Sequence, residues 1–211
     1  MPDNRMRIAY VHDSPLHKSL TTDYRDPSRL VSLGFTDVVI SDQMSGCLYG
    51  ITPELVQRID SAIDAGLNVW LMDDLFTLPS GSDAGCPGRE DSWELTAASI
   101  RDVIELVPQI RGLVFRYGET FESTNSTLKR VDILRCQCID CSSMDGITRR
   151  RKVVELLESV VCREMGKRCI LRLWDLSEEG VHANRMLQSK VLKKWAGDPR
   201  FFVSVKHTLT D

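Results

Sequence analysis

The sequence predicts an α/β fold of the (β/α)8 barrel type, incomplete, with about six β-α units. Three observations lead there. Short β-rich runs alternate with amphipathic segments of helical period along the whole chain. The β-rich runs lack clean polar alternation, as expected when helices cover both faces of a parallel sheet. Glycines close the helical segments at Gly34, Gly66, Gly166 and Gly197. An open doubly wound sheet fits the same alternation. No glycine-rich phosphate loop follows any run, so its dinucleotide-binding version has little support. With 211 residues and six strands, the chain falls short of the eight strands and roughly 250 residues of a closed barrel. One incomplete barrel domain over residues 1–211 is therefore expected.

The elements follow in order. Arg7–Val11 is the first strand, Pro27–Leu33 a short helix, and Thr36–Ile40 the second strand. Thr52 caps a helix that has Pro53 in its first turn and an apolar face of Leu55, Val56, Ile59 and Ile63. Asn68–Met72 is the third strand, followed by a loop from Thr77 to Asp91. Ser92–Val107 is a helix with Leu95, Ile100, Val103, Ile104 and Val107 inward. Gly112–Arg116 is the fourth strand, and a polar excursion runs from Thr120 to Gly146. Ile147–Met165 is a helix that turns Val153, Val154, Leu157, Val160 and Val161 inward, and its basic run Arg149–Lys152 reads as a solvated face. Cys169–Leu173, a helix over His182–Trp195, and Phe201–Val205 complete the pattern.

Composition narrows the function classes. The net charge is -3, with 27 basic and 30 acidic residues, which argues against a general nucleic-acid binder. No apolar run approaches the roughly 20 residues needed to span a bilayer. Seven cysteines cannot all pair within the chain, and Met1–Arg7 is polar, so reduced thiols in the cytoplasm are expected.

In parallel α/β folds, ligands bind outside the carboxyl ends of the strands. Charge gathers there: Asp73 and Asp74 after the third strand, Arg116 and Glu119 at the fourth, Arg172 and Asp175 at the fifth, and Lys206 to Asp211 after the sixth. Cations after three successive apolar strand cores call for anionic partners. Together with the carboxylates they suggest a site for an acidic, polyhydroxylated ligand. Trp174 beside it offers a ring for a sugar face.

Four stretches carry a family resemblance: "LVSLGFTDVVIS", "AGLNVWLMDDLFTLP", "IRGLVFRYGET" and "RFFVSVKHTLTD". Leu30 to Asp211 resembles the catalytic barrel of the α-glucuronidase family of glycoside hydrolases. The resemblance implies acid-assisted, inverting hydrolysis of a uronic-acid-containing carbohydrate. It implies Glu119 as general acid and Asp211 as a carboxylate assisting the attacking water. Arg116, Arg172 and Lys206 would bind the uronate carboxylate. The strand-end reading, apart from the resemblance, adds Asp74, Asp175 and Trp174 as residues lining the substrate site. The sequence departs from the family in having arginine at 116 and a basic-to-acid gap one residue shorter, which leaves Glu122 as a reserve for the acid. The family's second carboxylate falls beyond Asp211.

Cys136, Cys138 and Cys141 form C-x-C-x-x-C, a spacing able to bind zinc, with Cys86, Cys47 or a histidine as fourth ligand. The bland alternative is a packed thiol loop. No other cofactor is expected. Cys162 and Cys169 read as core residues. Two rival functions stand beside the hydrolase: a non-catalytic or degenerate carbohydrate-binding barrel, and a zinc-stabilised α/β interaction protein.

Overall fold

The computed structural model describes residues 6–12, 25–41, 50–75, 77–79, 86–117, 128–130, 138–173, 181 and 184–205. The first elements are β1 (Ile8–His12), α1 (Pro27–Ser32), β2 (Asp37–Ser41), α2 (Pro53–Asp64), β3 (Asn68–Asp74) and β4 (Thr77–Pro79). Next come α3 (Glu90–Leu106), β5 (Gly112–Tyr117), β6 (Leu128–Arg130), α4 (Ile139–Ser142) and α5 (Gly146–Leu157). Helix α5 passes into a π-helical stretch, Glu158–Glu164. The chain continues through β7 (Arg168–Leu173), α6 (Arg185–Leu192), a 3-10 turn (Lys193–Trp195) and β8 (Phe201–Val205).

The six predicted strands form one sheet in the order β1-β2-β3-β5-β7-β8. Pairing is parallel at β1–β2, β2–β3 and β7–β8. Each strand follows its predecessor through a helical crossover, the arrangement of β/α barrel units. The chain groups into two compact units, residues 1–73 with 102–114 and residues 74–101 with 115–211.

In the first unit, local chemistry sets the helix starts. The Thr52 hydroxyl accepts from the Leu55 amide at 3.2 Å, and Pro53 stands in the first turn, as the sequence predicts. Asp26 caps α1 in the same manner, accepting from the Ser28 amide at 2.9 Å. The buried face of α2 is Leu55, Ile59 and Ala62, while Val56 and Ile63 are half-buried flanks. Gly66 ends the helix at φ 94°, a conformation that costs an L side chain strain.

At the start of β2, Asp37 is buried to 1% exposure. It accepts from Trp70 Nε1 at 2.9 Å and from the Thr36 hydroxyl at 2.6 Å, and Arg111 Nη1 lies 3.3 Å away. These partners replace the water that the carboxylate loses.

Along α3 and the residue that follows it, Ile100, Val103, Ile104 and Val107 are buried as expected. Leu95 is not: it is 41% exposed, and Trp93 and Ala97 are buried in the first turns. Starting at Glu90 rather than Ser92, the helix presents Trp93 instead, whose Nε1 donates to the Pro87 carbonyl at 2.8 Å. The loop and the polar excursion are also more structured than expected. Strands β4 and β6 pair antiparallel, with Leu78 opposite Lys129, and α4 forms at Ile139–Ser142 with Cys138 as its cap.

Helix α5 and the π-helical stretch after it turn Val153, Val154, Leu157, Val160 and Val161 inward as predicted. Its basic run is not a solvated face. Arg149 and Arg150 are buried, Lys152 is only partly exposed, and Arg151 alone fits the expectation. Arg149 Nε donates to the Met144 carbonyl at 3.1 Å and its Nη2 to the Cys141 carbonyl, so the guanidinium ties helix to preceding turn. Asp145 caps this helix, accepting from the Ile147 and Thr148 amides at 2.9 and 3.1 Å. In the π-helical stretch, Arg200 Nη1 donates to the Cys162 carbonyl at 2.6 Å. Cys162 and Cys169 are both buried, as core residues should be.

Candidate active site and metal centre

Two groups of side chains invite a functional reading, both in the second unit. The first lies at the carboxyl ends of β5 and β7. Arg116 and Arg172 each stand one residue before the end of their strand, and the strands are neighbours in the sheet. Arg116 is buried to 5% exposure and Arg172 is half-buried. Neither is a free cation. Both follow apolar cores, Leu113–Phe115 and Cys169–Leu171, that are buried throughout. The β7–β8 register sets Arg172 opposite Ser204 and Leu173 opposite Val205, the residue that precedes Lys206 in the sequence. Of the other expected site residues, Glu119, Trp174, Asp175, Lys206 and Asp211 lie outside the described residues, as does the reserve Glu122. Asp74 is the last residue of β3, with its side chain outside the description. A buried acid at strand end is described separately in the first unit: Asp73 is 7% exposed on β3.

The second group is the thiol cluster. The Sγ atoms of Cys86, Cys138 and Cys141 lie within 4.8 Å of one another. Cys86 Sγ is 3.0 Å from that of Cys138 and 3.3 Å from that of Cys141. Of the three residues expected to bind metal, Cys138 and Cys141 are thus brought together, while Cys136 lies outside the described residues. Among the fourth-ligand candidates, Cys86 is the one that joins them, and Cys47 is outside the description.

Backbone amides face two of the sulfurs. The Gly88 amide donates to Cys86 Sγ and the Cys141 amide to Cys138 Sγ, each at 3.4 Å. Gly88 has a steric duty. A Cβ there would sit 2.6 Å from the Asp140 carbonyl carbon and 2.7 Å from the Cys141 nitrogen. The turn at Cys86–Arg89 can therefore press on α4 only with glycine at this position.

Aromatic and basic groups support the cluster from behind. Trp93 holds the Pro87 carbonyl, and Lys152 Nζ stands 4.9 Å from the Trp93 ring centre while pairing with Glu90 at 2.6 Å. The Arg89 guanidinium is held above its ordinary value, first by Asp91 and to a lesser degree by Asp140 and Cys86. Sequence reasoning found the cysteines but missed Gly88, Trp93 and Arg149. The Cys86-Pro87-Gly88 turn was the available signal.

Among the described residues, no helix is long and apolar enough to cross a membrane. No protein-family model matches the chain, and no curated protein matches it. Solved structures do. An α-galactosidase of glycoside hydrolase family 36 from Geobacillus stearothermophilus, in complex with 1-deoxygalactonojirimycin, aligns with a TM-score of 0.51 at 12% identity over 80% of this chain. A trimodular endoglucanase of glycoside hydrolase family 5, subfamily 4, aligns with a TM-score of 0.50 at 14% identity over 95% of this chain. This chain spans 28% and 39% of those two chains. The α-glucuronidase family is not singled out by these likenesses. What they carry is the fold: this chain has the α/β architecture of part of a glycoside hydrolase-like (β/α)8 barrel, with six strands of the sheet.

Proposed function

We propose that this chain belongs to a carbohydrate-active barrel that hydrolyses uronic-acid-containing sugars, with its site at the carboxyl ends of the strands. The observation that carries the reading is the matched placement of Arg116 and Arg172, one residue before the ends of neighbouring strands. Guanidinium groups bind carboxylates through two parallel hydrogen bonds, a geometry suited to a uronate. Lys206, directly after β8, extends the same series in sequence.

In this reading Glu119 protonates the leaving oxygen and Asp211 assists the attacking water. Asp74 and Asp175 bind sugar hydroxyls, and Trp174 stacks on a ring face. Inversion requires the two carboxyl groups about 6.5–9.5 Å apart, leaving room for that water. The likeness to an α-galactosidase and an endoglucanase supports the carbohydrate class, while the anionic preference rests on the arginines alone.

The test is calorimetry of the full protein with glucuronate and glucose, beside hydrolysis of aryl uronosides. Glucuronate is expected to bind more tightly, and Arg172→Met to erase the difference. Glu119→Gln is expected to lower turnover most for substrates with poor leaving groups. Equal affinity for the two sugars would remove the anionic reading. Sugar binding without turnover, unchanged by Glu119→Gln, would favour the non-catalytic carbohydrate-binding barrel.

A further inference from the structure

The thiol cluster is used by nothing in the proposed hydrolysis, and its geometry asks for an explanation of its own. We propose that Cys86, Cys138 and Cys141 are three ligands of a structural zinc ion, with Cys136 supplying the fourth thiolate. Four thiolates at about 2.3 Å around a tetrahedral zinc stand about 3.8 Å from one another. Two of the described sulfur pairs stand at 3.0 and 3.3 Å, somewhat closer than this spacing, and all three sulfurs lie within 4.8 Å of each other, so a small separation would seat the ion.

A disulfide explains the cluster less well. It joins two sulfurs, whereas Cys86 lies close to both Cys138 and Cys141. The amides of Gly88 and Cys141 donate to Cys86 and Cys138, which stabilises sulfur in its anionic form. Arg149, held on the Cys141 carbonyl, adds positive charge beside a site whose four thiolates outweigh the ion by two charges. The fourth ligand is proposed on sequence alone: Cys136 stands two residues before Cys138 in a C-x-C-x-x-C run, and zinc takes four ligands.

The zinc would act as a clamp. Cys86 belongs to the excursion that follows β3, and Cys138 and Cys141 to the one that follows β5. The same two excursions pair through β4 and β6. A three-residue ladder is short for independent stability, so a metal joining the two segments would hold their shape. This inference does not depend on the hydrolase reading.

The experiment uses the full chain, expressed in zinc-supplemented medium and washed with a weak chelator. Elemental analysis is expected to find about one zinc per chain. Mercurial titration of the thiols should release it, and cobalt exchange should give the intense visible absorption of a tetrahedral thiolate site. Alkylation mapping on the unmodified protein should show Cys86, Cys136, Cys138 and Cys141 protected together and exposed together by a strong chelator. Cys86→Ser is expected to lose the zinc, while Cys162→Ser keeps it. Iron in place of zinc, no bound metal, full zinc retention by Cys86→Ser, or an intact Cys86–Cys138 disulfide in the purified protein would each overturn the proposal. Full retention with an unchanged cobalt spectrum in Cys136→Ser would overturn the assignment of the fourth ligand.

Discussion

Cys86 and Cys138 place their sulfurs 3.0 Å apart although 52 residues separate them. The contact depends on a glycine two positions after Cys86, because any larger residue at 88 would strike the backbone of α4. Cluster and close approach are one feature: the turn that carries the first thiol is also the turn that packs most tightly on the other two.

Gly88→Ala tests this packing. The added Cβ would meet backbone rather than a flexible side-chain end, so relief requires one segment to move. We expect a loss of about 1–3 kcal/mol in urea denaturation, in line with overpacking elsewhere. Zinc retention should fall in parallel. A neutral substitution would mean that the turn and α4 are not in this contact.

Asp37 tests the first unit. Asp37→Ala strands the indole N–H of Trp70 and leaves Arg111 without this carboxylate. Breaking such a buried pair costs about 3–5 kcal/mol. Arg111 is less buried than its partner, which places Arg111→Met at the low end of that range or beneath it. A double-mutant cycle by chemical denaturation should show coupling between the two positions.

Arg149 and Arg151 separate the two readings of the basic run. Arg149→Ala removes the bonds to the Cys141 and Met144 carbonyls and should cost about 1.5–3 kcal/mol. Arg151→Ala removes one exposed contact to the Lys190 carbonyl and should shift the melting temperature little. Equal effects would restore the solvated-face reading.

The buried thiols set an alkaline limit on stability. Burial first, and then Asp198, push the Cys162 thiol from its ordinary 9.0 up to about 12. Burial also raises Cys169 well above its ordinary value. Above about pH 9 the unfolded chain gives up protons that the folded chain still holds, so stability falls as the pH rises towards about 12. Below that window these thiols contribute no slope. Urea denaturation from neutral to alkaline pH should show the decline, and Cys162→Ala should flatten it. Native protein should also resist alkylation at Cys162 and Cys169 near neutral pH, since the thiolate is the reactive form.

Arg116 and Arg172 are predicted to differ although they hold matched positions. Arg116 is buried and Arg172 only half so. Arg116→Met is therefore expected to lower stability as well as uronate affinity, and Arg172→Met chiefly affinity. Comparing melting temperature with calorimetric affinity for the two variants checks the split.

The sequence alone determined the six strands of the main sheet and the helices between them, though not the short elements β4, β6 and α4, because those signals are local. Pro53 and Thr52 start α2, Gly66 ends it, and the five valines and leucines of α5 and its π-helical continuation recur at helical spacing, all readable without knowing what lies opposite. The cation-bearing strand ends were legible for the same reason. Partner choice was not. That Trp93 rather than Leu95 turns inward, that Arg149 is buried against the Cys141 carbonyl, that Asp37 meets Trp70 and Arg111, and that Cys86 completes the thiol cluster were decided only by tertiary structure. Each joins segments through a close approach of backbone or a buried polar contact. Its energy depends on distance and desolvation in the folded chain, quantities that residue spacing along the sequence does not encode.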